Sequence, residues 1–214
     1  MATPSLEALL VIGIIGFYAQ DAMLLLYHDE LVFERVAGRW RPSPGGLQWK
    51  GRFLFVPNLL APWRPLLRGA CSDAPPVTTD APSLDPVLKA LRPLRVGVTL
   101  LAALLLVGVP MLLWRFPHPL ALLALAAAIY LVALLLAVSL WRSRNAFGIG
   151  RRTTAWLAFE SIACPPHAIN LVRKLGLRQR LPGDAMSMAT AALDAPALDR
   201  LKVTMSERTQ ALAP

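Results

Sequence analysis

The sequence predicts an all-α integral membrane protein with three transmembrane helices, the second and third forming a tight hairpin, and with interfacial or irregular segments on the cytoplasmic side. Three observations carry this. Two runs, Val96–Trp114 and Leu120–Trp141, contain no formal charge. At about 1.5 Å per residue each makes a helix of roughly 30 Å, the thickness of a bilayer's hydrocarbon core. A further apolar stretch, Leu6–Tyr27, precedes them, and the basic residues cluster between and after the three runs.

Composition agrees. The 214 residues are 56% hydrophobic, with a mean hydropathy of +0.51, against about 45–50% apolar in ordinary soluble chains. The excess sits in the three runs and does not enlarge a single core. A net charge of +9 is compatible with nucleic-acid binding, but the placement of the charge argues for a membrane. No Lys or Arg precedes the first run, ten lie from Arg35 to Arg95, Arg115 stands alone in the hairpin tip, and eleven follow Trp141. The positive-inside rule then puts the N-terminus and the hairpin tip outside, and the central loop and tail inside. The expected organisation is residues 1–27 as an N-terminal span, 28–95 as a cytoplasmic basic, Pro-rich loop, 96–141 as the transmembrane hairpin and 142–214 as a cytoplasmic interfacial tail. Heavy use of Leu, Ala, Pro and Arg is consistent with a high-GC bacterial genome, and with the spans the expected location is the bacterial inner membrane.

In the first run Glu7 lies near the start and no basic residue precedes it, which opposes a cleaved secretory signal. Gln20 and Asp21 are its intramembrane polar residues; a carboxylate there costs up to about 2.5–3.5 kcal/mol, less toward the interface. Leu31, Val32 and Arg35 predict that His28–Ala37 prolongs this helix, with Gly38 as its stop. Pro42 to Gly46 reads as a turn. Leu47, Trp49, Phe53 and Phe55 alternate with polar residues, the signal of a short strand or an extended interfacial segment. Trp63 and Leu66 interleave with Arg64 and Arg68, a mixture suited to headgroups.

Cys71–Pro82, rich in Pro, Asp, Thr and Ala, reads as a linker. Leu84–Leu94 restarts helix behind Asp85 and Pro86. Pro93 is expected to kink the approach to the second span, and Pro110 to free a carbonyl inside it. Ala126, Tyr130, Ala133 and Ala137 line one side of the third span as a close-packing face. Thr153–Arg180 is expected to lie in the cytoplasmic interface, with Pro166 opening a helix to Leu175 and Gly176 ending it. Pro182 and Gly183 make a turn, and a short helix after Asp194 carries Leu198, Leu201, Met205 and Leu212 on one side.

For chemistry, Cys164 and His167 stand three apart, a spacing two zinc ligands can use. They are weak candidates: His28, His118 and Cys71 are the remaining soft donors, His118 is expected across the membrane, and a structural site needs four. No metal or cofactor is therefore expected, and Cys71 and Cys164 read as free thiols. Asp21 with Gln20 suits an ion or proton site, but the other spans offer few polar partners. His28, Asp29 and Glu30 resemble an acid–base cluster with no adjacent nucleophile. No nucleotide-loop, metalloprotease, dinucleotide or nucleophile-elbow motif occurs. No catalytic residue is assigned.

The best-supported functional feature is the set of juxtamembrane cations Arg142, Arg144, Arg151, Arg152, Arg173, Lys174, Arg178 and Arg180, each worth about 1 kcal/mol against an anionic leaflet. The expected partners are lipids of that leaflet and a membrane protein or a second copy, not nucleic acid. The expected role is a non-enzymatic accessory or scaffold subunit of a membrane complex. A transporter or channel component using Asp21 is the first alternative, and an enzyme acting on a lipid-linked substrate the second.

Overall fold

The computed structural model describes residues 5–71, 84–115, 118–179, 181 and 184–210. The expected 72–82 portion of the linker, Phe116 and Pro117 of the hairpin tip, Arg180, the turn at Pro182 and Gly183, and Leu212 lie outside the described residues. Helix dominates, but the chain is not all-α: it also contains two small sheets. It divides into two compact units, each assembled from separated stretches. The first comprises Met1–Ala22, Leu60–Trp63 and Asp85–Val172; the second comprises Met23–Leu59, Arg64–Leu84 and Arg173–Pro214.

The first unit is helical. Helix α1 (Leu6–Ala22) has 17 residues, about 26 Å at the α-helical rise. Helix α2 (Asp85–Ala103) carries Pro93 in its interior and continues through a π-helical turn, Leu104–Gly108, into α3 (Val109–Arg115). The π turn lies immediately before Pro110, and the Val109 N–H bonds back to the Leu104 carbonyl. A wider turn is one way a helix accommodates a proline that has no N–H to give. Helix α4 (Pro119–Ser143) returns, followed by α5 (Arg151–Ala163) and the single-turn α6 (Pro165–Ala168).

Asp85–Arg115 and Pro119–Ser143 are long and apolar enough to cross a membrane, with mean hydropathies of 2.5 and 2.8. One face of each is buried inside the unit. Val87, Leu91, Leu94, Val98, Leu101 and Leu105 form that face on the first, the spacing of a helix seam. On α4 it is Ile129, Val132, Ala133, Leu136, Ala137 and Leu140. The expected small-residue face is thus only half right: Ala133 and Ala137 are buried, whereas Tyr130 is 53% exposed. The small residue at the closest approach is Gly97 on α2, where an added Cβ would stand 2.6 Å from a methyl of Leu136.

The second unit holds the sheets. β1 (Leu24–Leu26), β5 (Arg52–Phe55) and β4 (Leu47–Trp49) form one in the order β1-β5-β4. β3 (Arg39–Ser43), β2 (Glu30–Val36) and β6 (Leu66–Ala70) form the other in the order β3-β2-β6. Every pairing is antiparallel. The helix expected over His28–Ala37 is therefore strand β2. Its run of Leu31, Val32 and Phe33 is buried on both faces, so the alternation that normally marks a strand is missing.

Leu31 and Phe33 join Leu67 against Ala185 and Ala189 of α8 (Ala185–Ala192) and Leu201 and Met205 of α9 (Ala195–Gln210). Val32 points the other way, into Leu26, Phe53, Phe55 and Leu66. The unit is thus layered, with the β1-β5-β4 sheet on one side of β2 and the two C-terminal helices on the other.

Both tight hairpins use two residues with positive φ. Ala37 (+48°) and Gly38 (+83°) join β2 to β3, and Lys50 (+49°) and Gly51 (+75°) join β4 to β5. Two consecutive left-handed residues match the twist of the flanking strands. Gly38, expected as a helix stop, is a hairpin residue, and the single alternating strand expected across Leu47–Phe55 is folded back on itself. Likewise Gly176 ends no helix. It lies within α7 (Leu171–Leu177), where a Cβ would come within 2.3 Å of the Leu66 carbonyl oxygen.

Candidate carboxylate–imidazole site

Asp21 lies on the last turn of α1. Its expected shortage of polar partners does not hold, because the partners come from beyond the third apolar run. Asn170, fully buried just after α6, donates from Nδ2 to Asp21 Oδ2 at 3.1 Å and to the Tyr18 carbonyl at 3.0 Å. One amide group thus links a backbone carbonyl in the last turns of α1 to the carboxylate beside it and orients that carboxylate.

His167 on α6 and Glu160 on α5 complete the group. His167 Nδ1 is 3.3 Å from Glu160 Oε1, and the ring of Phe17 meets the imidazole edge-on with centroids 6.0 Å apart. One donor atom from each of Asp21, Glu160 and His167 lies within 4.8 Å of the others. All three side chains are half-buried. α5 and α6 pack together, and α6 packs against α1. Pro165 and Pro166 open α6 and fix its direction, which carries His167 to the end of α1.

Gln20, the neighbour of Asp21, is exposed. Cys164 is a half-buried free thiol at the junction of α5 and α6; among the described residues it joins no group of three metal-capable side chains. Sequence reasoning singled out Asp21 and His167 separately. It missed Glu160 and Asn170. Glu160 is the sole acidic residue of α5, and a lone carboxylate in the otherwise uncharged stretch from Thr153 to Ala163 was the available signal.

In the His28, Asp29 and Glu30 cluster, the Glu30 side chain is taken up by the fold. Glu30 begins β2, accepts from the Tyr27 N–H at 2.7 Å and pairs with Arg68, while the Asp29 carbonyl accepts from the Cys71 N–H at 2.7 Å. Of the expected juxtamembrane cations, Arg142, Arg151, Arg152 and Arg178 are exposed, and Lys174 is half-buried. Arg144 stacks over Trp141 at 5.2 Å. Arg173 is corrected: at 2% exposure it is an interior guanidinium, donating to the Asn58 carbonyl at 2.6 Å. Its burial against a backbone acceptor removes it from any headgroup.

No protein-family model, curated protein or solved structure matches this chain.

Proposed function

We propose that this is a multi-pass protein of the bacterial cytoplasmic membrane that serves as a non-enzymatic accessory or scaffold subunit. The observation that carries the reading is unspent apolar surface. In each of the two long helices only 28% of the most apolar 18-residue window is buried within the chain. Val96, Leu100, Val107, Met111, Leu123, Leu131 and Leu134 are exposed. In water, apolar surface on that scale costs about 25 cal/mol per Å²; lipid or a partner helix removes the cost.

Two further features support it. The outer face of the β1-β5-β4 sheet carries Leu47 at 64% and Trp49 at 56% exposure, next to Lys50 and Arg52. The rings of Trp156 and Phe159 of α5, both exposed, lie tilted to each other 6.1 Å apart on the helix that begins with Arg151 and Arg152. Aromatic and basic residues together suit the headgroup region of an anionic leaflet. The Lys and Arg count of 0, 10, 1 and 11 along the chain supports α1 as a third span, with the N-terminus periplasmic and the C-terminus cytoplasmic.

The test is recovery from membranes with an affinity tag after Pro214. The protein is expected to remain in the pellet after alkaline carbonate washing, and to elute from mild detergent with a stoichiometric membrane-protein partner or as a homo-oligomer. Release by carbonate refutes the membrane assignment; a lone monomer whose deletion leaves every membrane complex intact refutes the scaffold role. The alternative of an ion- or proton-handling component is favoured by one observation, the polar company that Asp21 keeps. Under it, Asp21→Asn abolishes a transport activity.

A further inference from the structure

We propose that Asp21, Glu160 and His167 form a binding site for a divalent transition-metal ion of the zinc or manganese type. The inference is independent of the scaffold reading and of the chain's orientation in a membrane.

Three features point to it. The donors are mixed, two carboxylate oxygens and one imidazole nitrogen, drawn from three elements. The set is assembled by the fold of the first unit. The spacing is right: donors 2.0–2.2 Å from one ion stand roughly 3–4.4 Å from each other, and here they lie within 4.8 Å, so side-chain rotation alone closes the set.

The supports of the donors fit as well. A ligating side chain works best when a neighbour holds it in one orientation. Asn170 does this for Asp21 by donating to Oδ2 from a fully buried position, and the Phe17 ring confines His167. An imidazole with two carboxylates favours borderline metals over magnesium or calcium, which take all-oxygen shells. Three protein donors leave at least one position for water or an exogenous ligand.

The experiment uses the full chain purified in detergent, stripped with a chelator and dialysed against Zn²⁺ or Mn²⁺. One ion per chain is expected, read by elemental analysis and by titration calorimetry. Glu160→Gln and His167→Gln are each expected to weaken binding tenfold or more, with unchanged helical circular dichroism and elution volume. Asp29→Asn, on the Tyr27–Glu30 turn, is expected to bind as the native chain does. Should the site variants misfold, X-ray absorption at the zinc edge of the native protein decides: a shell of oxygen with one imidazole supports the site. Sulfur in the shell, stoichiometric binding of neither metal, or native affinity in both site variants overturns it.

Discussion

At the scale of single residues, close approach sets the sharpest tolerances. Gly176 of α7 and Gly97 of α2 both sit where a Cβ meets a neighbour, but the neighbours differ. At Gly176 the obstacle is backbone, the Leu66 carbonyl oxygen at 2.3 Å and its amide nitrogen at 3.1 Å. At Gly97 it is the side chain of Leu136, a methyl at 2.6 Å and Cγ at 3.0 Å, which yields more readily than backbone. Gly176→Ala is therefore expected to destabilise by about 1–3 kcal/mol, the cost of overpacking, and Gly97→Ala by clearly less. Thermal unfolding of the two variants in the same detergent checks the order, and equal shifts contradict it.

Arg208 makes a second such case. Its guanidinium lies 3.8 Å over the Phe53 ring and donates to the carbonyls of Pro44 and Gly45. Burial pushes its pKa below the ordinary arginine value, yet no accessible pH neutralises it. Planarity and a fork of donors are what this position uses, so Arg208→Lys is expected to lose nearly as much as Arg208→Ala, about 1–3 kcal/mol by denaturant unfolding. Full rescue by lysine contradicts this account. Neither glycine nor Arg208 announces its role in the sequence, because each is defined by a contact far along the chain. The candidate site shows the same limit. Asp21 is conspicuous as a polar group in an apolar run and His167 by its spacing from Cys164, but Asn170 reaches Asp21 across 149 positions, a distance no periodicity spans.

At the scale of elements, the long apolar helices were legible and the strands were not. Val96–Trp114 and Leu120–Trp141 stand out because exclusion of charge over some twenty residues has few other physical causes. β2 is the opposite case. Covered by helices on one face and by a sheet on the other, Leu31, Val32 and Phe33 form a short continuous apolar run, which fits a buried helix as well as a buried strand. The hairpin turns gave little help, since Ala37 and Lys50 are uncommon at positive φ, and only Gly38 and Gly51 carried the signal.

The π turn before Pro110 bears on the mechanics of the long helix. Alanine at 110 restores the N–H and removes the ring, and by intrinsic propensity a proline in a helix interior costs about 3 kcal/mol relative to alanine. Here the wider turn already absorbs the misfit, so Pro110→Ala is expected to stabilise by less than that figure. It is also expected to raise amide-exchange protection over residues 104–108 as ordinary α-helical bonding replaces the π turn. A loss of stability would mean that the π turn is held by its neighbours and not by the proline.

At the scale of the whole molecule, the topology turns on α1. The two long helices satisfy the length of a bilayer by themselves, and a helical hairpin of two spans returns the chain to the side it left. The fate of the N-terminus then depends on a helix of 17 residues, at the lower limit of spanning lengths. Its sequence favours crossing. Ten basic residues lie between it and the next run, a segment that the positive-inside rule keeps in the cytoplasm. Against crossing stands Asp21 near its end, which must be hydrated, paired with Asn170 or bound to a cation for the cost to fall.

The two arrangements separate cleanly by labelling. In a chain with Cys71 and Cys164 replaced by serine, Ser5→Cys places a thiol at the exposed start of α1. If α1 spans, a membrane-impermeant maleimide applied to cells with a permeabilised outer membrane labels that cysteine, while a fluorescent reporter fused after Pro214 stays lit in the cytoplasm. If α1 lies along the inner surface, the reporter is unchanged and the label is excluded until the cytoplasmic membrane is broken, which overturns the three-span topology while leaving the hairpin intact.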